Sequence, residues 1–183
     1  MNIVNAIEDL MAQPSRCGAT HIIAIDGRAG AGKTTLAQEL FLAFSLDRKV
    51  TVIHLDEIYA GWDLALTDTL KNSLVQILES VRSGGSTKFP IYDWAQGRFN
   101  ETREITPCDL IIIEGVGSAQ SLVREYATVT IWLDIDPQTG LRRVLARDGS
   151  RIHDQMNRWQ IREEEHFRSE ATRENADFIL STL

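Results

Sequence analysis

Eight consecutive residues near the N-terminus have the types and the spacing of a phosphate-binding loop. Positions 27 to 34 read Gly-Arg-Ala-Gly-Ala-Gly-Lys-Thr, which satisfies GxxxxGK[ST] between an apolar run and a predicted helix. Glycines let successive backbone N–H groups turn inward around phosphate oxygens, and the helix N-terminus adds partial positive charge. The lysine of such a loop reaches the terminal phosphates, and the next hydroxyl is a ligand for Mg²⁺. The sequence therefore predicts that nucleotide phosphates bind to Gly27, Ala29, Gly30, Ala31, Gly32, Lys33, Thr34 and Thr35.

Two carboxylates follow apolar runs and are candidates for the rest of the chemistry. Glu114 ends one run, and we expect it to bind Mg²⁺ together with Thr34. Asp56 follows another run, where a carboxylate can accept a proton from a substrate hydroxyl during phosphoryl transfer. Glu57 is adjacent and is the alternative inward-pointing acid. For Glu114 and Asp56, the other interpretation is a helix cap or a solvated turn.

A group of arginines near Gly149 predicts a lid that closes over the transferring phosphate. Cations in such a lid offset charge on the phosphoryl oxygens once water is excluded. We place the lid at about residues 142 to 155, with Arg147 as the catalytic cation and Arg143 as a substrate contact. The alternative is a basic helix face that pairs with surface acids. The group consists of Arg142, Arg143, Arg147 and Arg151.

Short apolar runs alternate with segments of helical periodicity along the whole chain, which is typical of a parallel sheet covered by helices on both faces. The predicted fold is therefore α/β, a three-layer P-loop NTPase fold in a single domain of residues 1–183, with ligands at the carboxyl edge of the sheet. Predicted strands are His21–Asp26, Val50–Leu55, Asp109–Glu114, Thr128–Asp134 and Ala176–Leu180. Predicted helices are Ile3–Met11, Thr35–Phe44, a long one over much of Leu64–Arg82, Pro137–Arg147 and His153–Arg173, with a loop or small hairpin over Thr87–Pro107.

Composition and charge exclude several classes of protein. The 183 residues include 19 Lys and Arg against 26 Asp and Glu, a net charge of −7 that disfavours binding to nucleic acid. The two cysteines form neither a CxxC pair nor a Cys/His cluster, so a disulfide framework and a structural zinc site have no basis. No run approaches 18 apolar residues, and the opening residues carry Glu8 and Asp9, so we expect neither a signal peptide nor a membrane span. We expect a cytoplasmic protein without membrane association, and a homo-oligomer is compatible with the sequence.

Several further segments resemble the uridine kinase-like family of P-loop kinases, which is related to phosphoribulokinase and pantothenate kinase. Leu55–Tyr59 resembles the family's Asp-x-Phe-Tyr segment, whose Asp acts as the base on the sugar hydroxyl, and Pro90–Trp94 resembles its Pro-x-Tyr-Asp segment in the nucleoside pocket. The resemblance implies that Asp56 is the base, that Glu114 lies near the metal, and that Tyr59, Tyr92 and Trp94 contact the acceptor. A family histidine after the Tyr-Asp pair has no counterpart here. The other similar segments are Ile113–Gly115, Leu133–Asp136, Arg142–Leu145, Glu165–Phe167 and Asn175–Ile179.

These residues together predict a small-molecule kinase that depends on ATP and Mg²⁺. It would transfer the γ-phosphate to a hydroxyl of a nucleoside or another sugar-bearing metabolite, and its partner would be that small molecule. The alternative is a nucleotide-binding regulatory ATPase that has no small-molecule acceptor. A GTP switch is disfavoured because the chain has no Asn-Lys-x-Asp segment to recognise guanine.

Replacement of the loop lysine tests the phosphate site. We expect Lys33→Ala to lower turnover about 10²-fold or more, because the ammonium contacts charge that grows in the transition state. A coupled ADP-release assay with the correct acceptor measures the loss. Unchanged turnover would remove Lys33 from the mechanism.

Overall fold

The computed structural model describes residues 3–182, over which strands and helices alternate. The strands are β1 (His21–Gly27), β2 (Val50–His54), β3 (Thr87–Asp93), β4 (Arg98–Ile105), β5 (Leu110–Glu114), β6 (Val129–Asp134) and β7 (Phe178–Ser181). The α-helices are α1 (Ile3–Met11), α2 (Lys33–Phe44), α3 (Gly61–Leu64), α4 (Asp68–Arg82), α5 (Ser121–Arg124), α6 (Pro137–Asp148) and α7 (His153–Glu170). Two 3₁₀ turns cover Leu55–Glu57 and Ser150–Ile152.

Five strands form one sheet in the order β2-β5-β1-β6-β7, and every neighbouring pair in it is parallel. All five carboxyl ends therefore lie along one edge of the sheet, where ligands of such folds bind. The register places both Ile25 and His54 opposite Glu114. The residues that follow β1, β2 and β5 are consequently neighbours, although they come from distant parts of the chain.

Each face of the sheet has its own apolar core. Ile22 and Ala24 of β1 belong to the core that includes α4 and α7, whereas Ile23 and Ile25 belong to the core that includes α1 and α2. Alternation of side chains along a strand explains why adjacent residues lie in different cores. A parallel sheet with helices on both faces is confirmed.

The segment predicted as a loop or small hairpin is a two-stranded antiparallel hairpin, formed by β3 and β4. Phe89 and Ile105 are buried in the core on the α4 side, which anchors the hairpin. The hairpin also contacts the edge strand of the sheet, because Arg103 Nη2 donates to Val52 O at 2.7 Å. The hairpin thereby shields the open edge of β2, as edge strands require.

The predicted long helix over much of Leu64–Arg82 is confirmed as α4, which begins at Asp68 and is preceded by the short α3. Thr67 separates them with extended backbone, and its side-chain oxygen accepts from Thr69 N at 3.4 Å as the N-cap of α4. Threonine is a favoured N-cap residue, so this new start competes with continuation of the helix.

Within residues 3–182, no helix combines the length and the apolar character that crossing a membrane needs.

Candidate active site

The phosphate-binding loop connects β1 to α2 at the carboxyl edge of the sheet. Gly30 and Gly32 adopt φ of 81° and 92°, a left-handed conformation that glycine accepts without strain. A Cβ at Gly30 would lie 2.3 Å from the carbonyl oxygen of Gly140, so α6 packs directly on the loop. Lys33 is buried, and its Nζ donates to Gly27 O at 2.7 Å and to Arg28 O at 2.8 Å. The loop thus encloses its own ammonium group.

Thr34 and Glu114 meet as the sequence predicts. Thr34 Oγ1 donates to Glu114 Oε1 at 3.1 Å, across a separation of 80 residues. The same oxygen lies 2.6 Å from His54 Nδ1, and this hydrogen bond is the largest cause that raises the pKa of His54. His54 was not selected from the sequence, although its register opposite Glu114 in a parallel sheet would have indicated it.

The donor set of the site fits Mg²⁺ and a nucleotide. A hydroxyl and a carboxylate are hard oxygen ligands, which Mg²⁺ prefers, and this ion usually takes only one or two ligands from the protein beside phosphates and waters. Among residues 3–182, no group of three or more His, Cys, Asp and Glu side chains is arranged to hold a metal by itself. A Cβ at Gly32 would meet no atom within 4 Å, so the backbone beside Lys33 is open to phosphate oxygens. Thr34 and Glu114 would therefore hold the ion, and the loop would hold the phosphates.

Asp56 lines the cleft that the phosphate loop opens into, whereas Glu57 faces the hairpin. Glu57 Oε2 accepts from Arg103 Nη1 at 2.7 Å, which resolves the choice between the two adjacent acids. Loss of hydration raises the pKa of Asp56, and the nearby charge of Glu114 raises it further. The charges of Lys33 and Arg147 oppose this rise.

The cleft has a volume of about 580 Å³ and extends from the phosphate loop to an aromatic wall. Four aromatic side chains form this wall: Tyr59, Trp62, Trp94 and Trp159. The ring centres of Trp62 lie 5.4 Å from Trp94 and 5.8 Å from Trp159, in edge-to-face geometry. Trp94 Nε1 also donates to Asp56 O at 2.8 Å, so the wall and the acid are joined.

The predicted acceptor residues Tyr59 and Tyr92 occupy different positions relative to the cleft. Tyr59 is buried in the wall, and its hydroxyl donates to Val116 O at 2.7 Å. Tyr92 lies behind Trp94, at 5.2 Å between ring centres, and is not part of the cleft lining. Asp93, from the same segment, accepts from the N–H groups of the hairpin turn rather than facing the cleft.

The predicted lid arginines separate into different environments. Arg147 lines the cleft and donates from Nε and Nη2 to the carboxylate of Asp148, both at 2.7 Å. Arg143 contacts the phosphate loop, where its Nη1 lies 3.5 Å from Gly30 O. Arg142 donates to Thr139 Oγ1 at 2.8 Å on the exposed side of α6. The geometry therefore brings Arg147 to the cleft and Arg143 to the back of the loop.

Asp26 is a site residue that the sequence analysis missed. Its carboxylate is fully buried and accepts N–H groups from Gly27 at 2.8 Å, Gly117 at 3.0 and 3.1 Å, and Ala119 at 2.9 Å. Burial raises the pKa of Asp26, and the hydrogen bonds from Ala119 and Gly27 oppose that rise. The side chain thus joins the start of the phosphate loop to the loop after β5. The carboxylate at the end of the β1 run was the only signal in the sequence.

The sheet order, the phosphate loop and the acids at its edge define a P-loop kinase. Residues 69–168 match the model of the Phosphoribulokinase / Uridine kinase family. A uridine kinase of Clostridium perfringens is 30% identical over 140 residues, covering 69% of this chain and 67% of that protein. A uridine kinase of Halalkalibacterium halodurans is 29% identical over 141 residues, covering 69% of this chain and 66% of that protein. The chain belongs to the phosphoribulokinase and uridine kinase family.

Solved structures share the fold over nearly the whole chain. A structure described as a possible uridine kinase from Bacillus stearothermophilus has a TM-score of 0.69 at 21% identity, covering 98% of this chain and 100% of that one. A D-glycerate 3-kinase from Cryptococcus neoformans has a TM-score of 0.57 at 14% identity, covering 98% of this chain and 94% of that one. At these identities the likeness concerns the fold.

Replacement of Asp26 tests its role as the anchor of the loop. Asp26→Asn presents an NH₂ group to N–H donors, so we expect the free energy of unfolding to fall by about 2 kcal/mol or more. Urea unfolding measures the change. Asp47→Asn is the control, because Asp47 is exposed and pairs with Arg48, and we expect a change within about 0.5 kcal/mol. Equal stability of the two variants would contradict the assignment.

Proposed function

We propose that this protein is a kinase that depends on ATP and Mg²⁺ and transfers the γ-phosphate to a hydroxyl of an uncharged, ring-bearing metabolite such as a nucleoside. One observation carries the proposal: Asp56 lines a single cleft between the phosphate loop and the aromatic wall. The names of the relatives from Clostridium perfringens and Halalkalibacterium halodurans support the same activity. The proposed partner is a small molecule, and the proposed site of action is the cytoplasm.

Each of these residues has a separate role in the proposed phosphoryl transfer. Lys33 and the loop amides would hold the phosphates, and Thr34 and Glu114 would hold Mg²⁺. Bound ATP with its ion supplies the phosphoryl group and partial neutralisation of its charge. Asp56 accepts the proton of the acceptor hydroxyl, and its raised pKa makes the carboxylate a stronger base than an ordinary aspartate. Arg147 offsets charge on the transferring group once it exchanges Asp148 for phosphate oxygens.

The character of the wall supports an acceptor without charge. The basic side chains among the described lining residues are Lys33, which lies in the phosphate loop, and Arg147, which is paired with Asp148. Behind the wall, Arg162 is also paired, with Asp63 Oδ1 at 2.7 Å. A phosphate or carboxylate on the acceptor would therefore lack a cation at the aromatic end. Aromatic rings there pack well on a flat base or on the apolar face of a sugar.

A panel of acceptors tests the proposed activity. We expect ATP consumption to rise with uridine, cytidine or adenosine, and to stay at its basal rate with pantothenate or ribulose 5-phosphate. Mass detection of a phosphorylated product identifies the acceptor. Slow hydrolysis that no hydroxyl compound stimulates would favour the regulatory ATPase instead.

The dependence of kcat/KM on pH tests the role of Asp56 as the base. The carboxylate form is the active form, so kcat/KM should fall as pH falls through the raised pKa of Asp56, at a higher pH than an ordinary aspartate would give. Asp56→Asn should lose this acid limb and lower kcat about 10²- to 10⁴-fold. The control is Glu57→Gln, which should retain the limb because Glu57 pairs with Arg103 outside the cleft. An identical acid limb in Asp56→Asn would assign the base elsewhere.

A further inference from the structure

Glu163 on α7 is a fully buried carboxylate that lies behind the phosphate loop. Its Oε2 accepts the backbone N–H of Ala29 at 3.0 Å, across 134 residues of sequence. Its Oε1 lies 3.5 Å from Arg28 Nη1 and makes no hydrogen bond within the described part of the chain. The residue therefore holds the first half of the loop through the backbone amide of Ala29.

Oε2 of Glu163 also holds the aromatic wall of the cleft. Trp159 Nε1 donates to Glu163 Oε2 at 3.1 Å, one helical turn away on α7. The indole of Trp159 packs against Tyr59 and Trp62, with ring centres 5.6 and 5.8 Å apart. A single atom thus receives one N–H group from the nucleotide side of the cleft and one from the acceptor side.

Stability alone does not account for this carboxylate. Burial of a charged group is unfavourable unless it is paired and fully hydrogen-bonded, and one oxygen of Glu163 has no hydrogen bond. Arg28 divides its guanidinium between Glu163 and the more exposed Glu164. What Glu163 provides is a fixed distance between Ala29 and Trp159.

We propose that Glu163 is a positioning residue that couples the phosphate loop to the aromatic acceptor wall through its shared Oε2. The inference rests on the proposed function, because it assumes that phosphates bind to this loop and the acceptor to this wall. When phosphates reorder the loop at Ala29, the shared acceptor carries the change to the indole of Trp159.

Nucleotide binding to Glu163→Gln tests the proposal. In either orientation the amide places its NH₂ against a donor, Arg28 on one side or the N–H groups of Ala29 and Trp159 on the other. We expect the Kd for MgADP, measured by calorimetry, to rise about tenfold relative to the wild type. The matched control is Glu164→Gln, which removes the charge that pairs with Arg28 and Arg168 at a more exposed position and should leave the Kd within about twofold.

The indole N–H signal of Trp159 in a ¹H–¹⁵N spectrum supplies a second measurement that a purely structural role would not move. Loss of the signal in Trp159→Phe assigns it among the four tryptophans. MgADP should shift this signal in the wild type, and the shift at saturation should be smaller in Glu163→Gln. Thermal unfolding establishes that the variant folds; if it does not, Glu163→Asp, which keeps the charge but shortens the reach, replaces it with the same expectations.

The outcomes separate the two proposals. A wild-type Kd and a wild-type shift in the folded Glu163 variant would overturn the coupling and leave the proposed function in place. Absence of MgADP binding to the wild type would overturn the proposed function, and the coupling with it. A weaker Kd with a reduced Trp159 shift supports the coupling.

Discussion

The geometry of the whole site depends on hydrogen bonds from backbone N–H groups to one buried carboxylate. Asp26 ends the apolar part of β1 and accepts donors from Gly27, Gly117 and Ala119. A buried carboxylate must satisfy its lone pairs, so these loops cannot separate without a large cost in free energy. Lys33 and Thr34 follow Gly27, and Glu114 immediately precedes the second loop. The distance between the phosphate loop and the predicted metal ligand is therefore set beneath the cleft rather than inside it.

The charges of the cleft favour binding of a nucleotide together with its cation. Asp56, Glu114 and Asp148 line the cleft, against Lys33 and Arg147. Repulsion between Asp56 and Glu114 contributes to the raised pKa of Asp56, and a divalent cation beside Glu114 would relieve it. Both of these cations have acceptors within the protein, since Lys33 donates to loop carbonyls and Arg147 donates to Asp148. Phosphate oxygens are suitable replacements for both sets of acceptors.

The sequence predicts those parts of the molecule whose determinants are contiguous. The loop from Gly27 to Thr34 and the apolar strands can be identified locally, and the sheet order then brings Asp56 and Glu114 to one edge. Asp26 and Glu163 could not be assigned in this way, because each joins the phosphate loop to a distant part of the chain: Gly117 lies 91 residues from Asp26, and Ala29 lies 134 residues from Glu163. The apolar stripe predicts the long helix α4 but not the residue at which it begins, which the N-cap at Thr67 sets. The position of Tyr92 could not be predicted, because the hairpin orients Trp94 toward the cleft and places Tyr92 behind it in edge-to-face contact.

The proposed function requires that backbone amides of the loop bind the phosphates. The most direct measurement is the ¹H–¹⁵N spectrum of the wild type during titration with a non-hydrolysable MgATP analogue. We expect the amide signals of Gly30, Gly32, Lys33 and Thr34 to shift to lower field, as hydrogen bonding to an anion requires, while amides of α1 stay in place. Binding of the analogue with no change at these four amides would contradict it.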